Sequence, residues 1–200
     1  MIWAGRLLMP LLLALASAAG PQAAALAGLA NPQPLRLLRG SDLWTIPDAA
    51  LGQFVTSGTF ADQRLLWLVL GSGWPEEALR TALVRPYGVD VVRLARFLDS
   101  PEGLAFLQRQ SRAYHPLPAY QAGGDLRITA LRAAILADAS DGTISALGIV
   151  RRLPAPLVLD VAGAGPLRCS DLPCSDLRQC RSVLSWLVFL PACLQAATAS

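Results

Sequence analysis

Lysine is absent from these 200 residues and histidine occurs once, at His115. All 17 basic residues are therefore arginine, which rules out a Ser-Lys catalytic pair. Cysteine is limited to Cys169, Cys174, Cys180 and Cys193, spaced C-x4-C-x5-C-x12-C near the C-terminal end. With no C-x2-C knuckle and the single imidazole far away, that set does not make a zinc site. Charged residues make up only 16% of the chain, and the net charge of +3 is spread along it. Without a dense basic face, nucleic acid is not an expected partner.

Apolar residues are plentiful, at 54%, enough for one compact domain with its own core and too few for two sizeable ones. The N-terminus combines Arg6, an apolar run over residues 7–19 broken by Pro10 and Ser17, and small residues with Ala-x-Ala sites at Ala16/Ala18 and Ala23/Ala25. That arrangement predicts a secretory signal peptide over residues 1–25, and its apolar run is shorter than the roughly 20 apolar residues that span a bilayer. Export to a periplasmic or extracellular space is the expectation. It makes the four cysteines candidates for disulfides, with three possible connectivities.

Residues 26–34, rich in Ala, Pro and Gln, read as a linker. A helical domain is expected over 35–162 and a cysteine-bearing tail over 163–200. Two short extended segments, 35–38 and 44–46, open the domain. Helices then follow local signals: Pro47 before a Leu51, Phe54, Val55 stripe that stops at Gly58; the apolar ADQRLLWLVL ended by Gly71 and Gly73; Pro75-Glu76-Glu77; Asp90 as a cap; and Ser100-Pro101-Glu102. Between Tyr114 and Gly124 two prolines and two glycines predict a loop. Asp125 is placed as the cap of a sixth helix with Ile128, Leu131 and Ile135 on its buried face, and Thr143 as the cap of a short seventh with Ile144 and Leu147 inward. LVLDV, residues 157–161, reads as a strand able to pair with the first extended segment. The predicted class is all-α: about seven short helices around one core, with a minor β-ribbon from the two ends of the domain. In the tail VLSWLVFLPACL, residues 183–194, fits either a packed helix or an interfacial segment.

Several of these stretches carry a resemblance. LRLLRGSDLWTIPDAALGQFVTSGTF, PEEALRTAL, VVRLARFLDSPEGLAFL and ALRAAILADASDGTISALGIVRRLP together resemble a domain of unknown function in cyanobacterial proteins labelled alpha/beta hydrolase. The resemblance covers about residues 35–161 and implies a helical domain that precedes a lipase-like catalytic domain or stands alone after a signal peptide. The matching residues pack helices and carry no catalytic motif. The tail does not share the pattern.

The hydrolase label demands alternating strands and helices, a G-x-S-x-G elbow, an acid and a His base. The nearest approach is LVLGSGW, where Ser72 has Leu70 and Trp74 in place of the two elbow glycines. Ser72 and His115 are the only candidates for a nucleophile and base, and a Gly-Ser-Gly helix break is the simpler account of the first. Glu76 and Glu77 suit a helix N-terminus rather than a shared substrate, and Asp138 and Asp141 flank a turn with too few oxygens for calcium. Neither metal nor cofactor is expected. Arg93 with Arg96, Arg109 with Arg112, and Arg151 with Arg152 form three small basic spots, and the tryptophans, Trp67 among them, are expected to be buried. The reading is an exported accessory or binding domain, non-catalytic by itself, with a lipase-like hydrolase or a lipid surface as partner and its oligomeric state open. The alternatives are an ester or lipid hydrolase, as the label implies, and a membrane-surface protein.

Overall fold

The computed structural model describes residues 33–116, 126–153, 157–161 and 182–199. The first element is a hairpin: β1 (Leu35–Arg39) runs antiparallel to β2 (Asp42–Ile46), with Leu35 opposite Ile46 and Arg39 opposite Asp42. Gly40, at φ 63°, supplies the positive φ that tight hairpin turns require. Side chains alternate, so Leu35, Leu37 and Ile46 form one buried row on the inner face. Arg39 continues that inward row at its open end.

Local chemistry then sets each helix start. Pro47 leads into α1 (Asp48–Ser57), and Gly58, at φ 75°, ends it with its N–H on the Phe54 carbonyl. Asp62 accepts the N–H groups of Arg64 and Leu65 at the start of α2 (Gln63–Gly71). Glu76 and Glu77 occupy the first turn of α3 (Glu76–Val84), where carboxylates complement the helix dipole. After the short β3 (Tyr87–Gly88), Asp90 takes the N–H groups of Val92 and Arg93 to cap α4 (Val91–Asp99). Ser100 then caps α5 (Pro101–Gln110) through the N–H of Gly103.

A single 3-10 turn leads into β4 (Tyr114–Pro116), which begins inside the stretch predicted as loop. α6 (Leu126–Asp138) buries Leu131 and Ile135 as its pattern predicts. Asp125 and residues 117–124 lie outside the described residues. The seventh helix differs from expectation at its start. Thr143 is part of β5 (Thr143–Ile144), paired antiparallel with β3, and α7 (Ala146–Arg151) is capped instead by Ser145, whose hydroxyl accepts the Gly148 N–H. Thr143 is held out of the helix because its N–H and hydroxyl both donate to Asp141. β6 (Leu157–Asp160) pairs parallel with β1 and antiparallel with β4, giving the sheet order β2-β1-β6-β4. The architecture is thus helical with minor β structure, and the two ends of the predicted domain meet in the sheet.

The last described element is α8 (Val183–Thr198). It buries residues on every side, including Leu184, Trp186, Leu187, Leu190 and Leu194, and packs against α3, α4, α7 and β3. Although it lies beyond the boundary drawn at residue 162, it shares one core with Leu94, Leu131 and Ile135. Of the two readings of residues 183–194, the packed helix is the one observed, and these side chains leave no apolar face for an interface with lipid. Among the described residues no helix is long and apolar enough to cross a membrane. The polar groups of α8 are satisfied inside the protein. Trp186 Nε1 donates to Gln110 Oε1 at 2.8 Å, and Ser185 Oγ accepts from Trp74 Nε1 at 2.9 Å.

Charged pairs tie the helices at their ends. The Asp138 carboxylate, largely buried, accepts the Ser145 N–H at 2.9 Å and Arg152 Nε at 3.1 Å, joining α6 to α7. Arg151 Nε reaches Asp48 at 2.6 Å and joins α7 to α1. Arg151 and Arg152 are therefore structural cations rather than a free basic spot. Arg93, Arg96, Arg109 and Arg112 are exposed.

Two predictions follow from this geometry. Gly103 is buried where α5 crosses the end of α4, and a methyl group there would run into the Phe97 carbonyl and the Leu98 backbone. Gly103→Ala is expected to lower unfolding free energy in urea by about 1–3 kcal/mol or more, the cost of overpacking. Gly71→Ala, at a position with nothing within 4 Å, should cost nothing. Equal stability of the two variants would contradict the packing.

The second concerns acid. The Arg93 backbone N–H, then that of Val92 and the charges of Arg93 and Arg96, hold the Asp90 carboxyl below its ordinary value. A carboxyl lowered in the folded state contributes stability that is fully present above the unfolded value, near 3.9, and is lost as pH falls through the lower folded one. Asp90→Asn keeps the accepting oxygen but removes the titration. Its denaturation midpoint should fall less steeply than the parent's below about pH 4, and parallel acid slopes would contradict the assignment.

Candidate functional site

Where the turn end of the hairpin meets the end of α2 and the start of α8, a cleft of about 450 Å³ opens. Trp44 enters from β2, Trp67 and Leu68 from α2, and Val183 and Leu184 from α8. The Trp44 and Trp67 rings lie 6.0 Å apart between centroids, tilted by 50°. At the rim the Arg39 guanidinium sits over the Trp44 ring, 5.1 Å from its centroid, a distance at which a cation is attracted to the ring face.

Trp67 is 48% exposed, which corrects the expectation that it would be buried. α2 is apolar all round, yet only the side carrying Leu65, Leu68 and Val69 packs inward. Trp67 and Leu70, three residues apart, fall on the open side.

Ser72 also lines this cleft, 2% exposed, at the C-terminal end of α2. Its hydroxyl donates to the Val69 carbonyl at 2.6 Å and accepts the Trp74 N–H at 3.1 Å, while Gly73, at φ 78°, turns the chain. This is the helix break predicted from Gly-Ser-Gly, and the proton a general base would have to remove is held by a backbone oxygen. A second hydroxyl in the lining, that of Ser182, caps α8 by accepting the Ser185 N–H. Among the described residues that line the cleft there is no His, Asp, Glu or Cys. His115 lies in β4, its backbone opposite Val158. β4 and β2 are opposite edges of the sheet, three interstrand spacings or about 14 Å apart at the backbone, so His115 and Trp44 flank it from different sides.

The remaining candidates fall elsewhere. Cys193 is buried in α8 and disulfide-bonded; Cys169, Cys174 and Cys180 lie outside the described residues, as do the predicted signal peptide and most of the predicted linker. No group of three His, Cys, Asp or Glu side chains placed to hold a metal occurs among the described residues. The two carboxyls held below their ordinary value, Asp90 and Asp141, are local caps. The Thr143 N–H and hydroxyl lower Asp141 as the Arg93 N–H lowers Asp90, and neither group lines the cleft.

The sequence did carry one signal of the cleft. In LRLLR the inward alternation runs Leu35, Leu37, Arg39, and an arginine on a core-facing row is out of place unless the row ends at an opening. No curated protein and no solved structure matches the chain. Residues 44–160, from Trp44 in β2 to Asp160 at the end of β6, match the family model described as alpha/beta hydrolase of unknown function (DUF1400). That match covers more than half of the 200 residues, and the chain belongs to this family.

Proposed function

We propose that the protein is an exported accessory or binding domain of its family and does not hydrolyse esters by itself. The observation that carries this reading is the chemistry of the cleft. Its described walls are aromatic and aliphatic, and both serine hydroxyls in them are engaged as helix caps. A site built to bind needs shape, apolar surface and a few oriented polar groups; a hydrolytic site also needs a base within reach of its nucleophile. Among the described residues of the cleft only the first set is assembled. The basic, apolar and small-residue order of the N-terminus supports export to a periplasmic or extracellular space. A lipase-like hydrolase, the companion that the family's label suggests, is the proposed partner.

The competing reading is that the chain hydrolyses esters or lipids, favoured by the family description and by the position of Ser72 in the cleft. Short-chain p-nitrophenyl esters offered to the purified protein decide between them. The expected result is release at the buffer rate, unchanged in Ser72→Ala. Turnover that disappears in Ser72→Ala would establish Ser72 as a nucleophile and overturn the binding-domain reading.

A further inference from the structure

Resting on the binding-domain reading, we propose that this cleft binds a single-chain aliphatic carboxylate, its hydrocarbon between Trp44, Trp67 and the first turn of α8 and its carboxylate on Arg39. Three features point to that ligand class. The first is the combination of size and lining: about 450 Å³ falls within the roughly 300–1,000 Å³ typical of small-molecule sites, and the walls are apolar.

The second is the state of Arg39. Its position on the inward row of β1 brings the guanidinium to the mouth of the cleft, where it is the one charged group among the described lining residues. Asp42 stands opposite it in the hairpin register, yet Arg39 makes no ion pair among the described residues and rests on the Trp44 ring instead. A cation held near a ring face keeps its N–H donors for other partners, and a guanidinium can take a carboxylate through two parallel hydrogen bonds.

The third feature is the lip. Trp67, which lines the cleft, is 48% exposed, so an alkyl chain lying there covers apolar surface that is now in water. One cation, one apolar slot and no counter-charge in the described lining together match a molecule with one negative end and one long apolar end. A neutral or cationic amphiphile leaves Arg39 unanswered.

The test is calorimetric titration of the full exported chain with octanoate, decanoate and dodecanoate below their micelle concentrations. The parallel ligands are decanol and dodecyltrimethylammonium. Expected is saturable binding of one ligand per chain, tightening by about fourfold for each methylene added until the cleft is full. Arg39→Gln should weaken the carboxylates about tenfold or more and leave decanol unchanged. Trp67→Ser should weaken all the ligands together, with an unchanged thermal midpoint of the free variant as the check on its fold.

Failure of the carboxylates to bind would overturn the proposal. So would equal binding of the quaternary ammonium, or an Arg39→Gln variant with undiminished carboxylate affinity. Anionic vesicles form a separate arm, and association with vesicles that free decanoate does not displace would assign the lip to a membrane surface and overturn the cleft ligand. Loss of this proposal leaves the binding-domain reading standing, because that reading is tested separately, by ester turnover above the buffer rate.

Discussion

A helix with apolar residues on every side is stable in water only when other elements enclose it, and α8 imposes that condition on this fold. Its sides are taken up by α3, α4, α7 and β3, and its indole and hydroxyl find partners in Gln110 and Trp74. Both bonds tie α8 to residues distant in sequence, each with the modest net worth of a protein hydrogen bond. The packing of α8 and the placement of Gln110 on α5 and Trp74 after α2 are thus one requirement seen from three elements. Residues 44–160, the part shared with the family, form the shell around this helix, and α8 itself lies outside that match.

The same constraint produces the cleft. The first turn of α8 ends against the hairpin and the last turn of α2, three ends that meet without interdigitating. Helix ends need caps, and Ser72 and Ser182 supply them, so the hydroxyls nearest the opening are committed to the backbone. A hydrolase elbow works the other way, exposing a serine on a strained turn after a strand. Here the serine follows a helix and is turned in upon it, and among the described residues the one parallel strand pair, β1 with β6, is too small a sheet to present such a turn. The proposed reading of the cleft as a binding site rests on this difference.

Much of the fold was legible because its signals are local. Pro47 with Gly58, Asp90, and Ser100 with Pro101 act within three or four residues of themselves, and each marks the helix boundary it predicts. The pairing of 35–38 with 157–161 was legible as well, since both are apolar extended segments at the ends of the predicted domain. What escaped depended on partners distant in sequence. Thr143 looks like a cap until Tyr87 and Gly88 arrive to pair with its strand. Trp67 looks buried because the residues around it are apolar in every direction, and only the packing of α2 decides which side stays open. Arg39 carries meaning only once Trp44 lies beneath it. Residues 183–194 showed no period, which fits both a core helix and an interfacial one, and only enclosure by the other elements separates the two.

Native-state hydrogen exchange tests most directly whether α8 is the element that the rest encloses. If it is, the amides of residues 186–190 and 192–194 exchange only when the whole domain unfolds, at the same free energy as those of residues 131–135 in α6. Exchange of α8 through local opening, while α6 remains protected, would contradict the account.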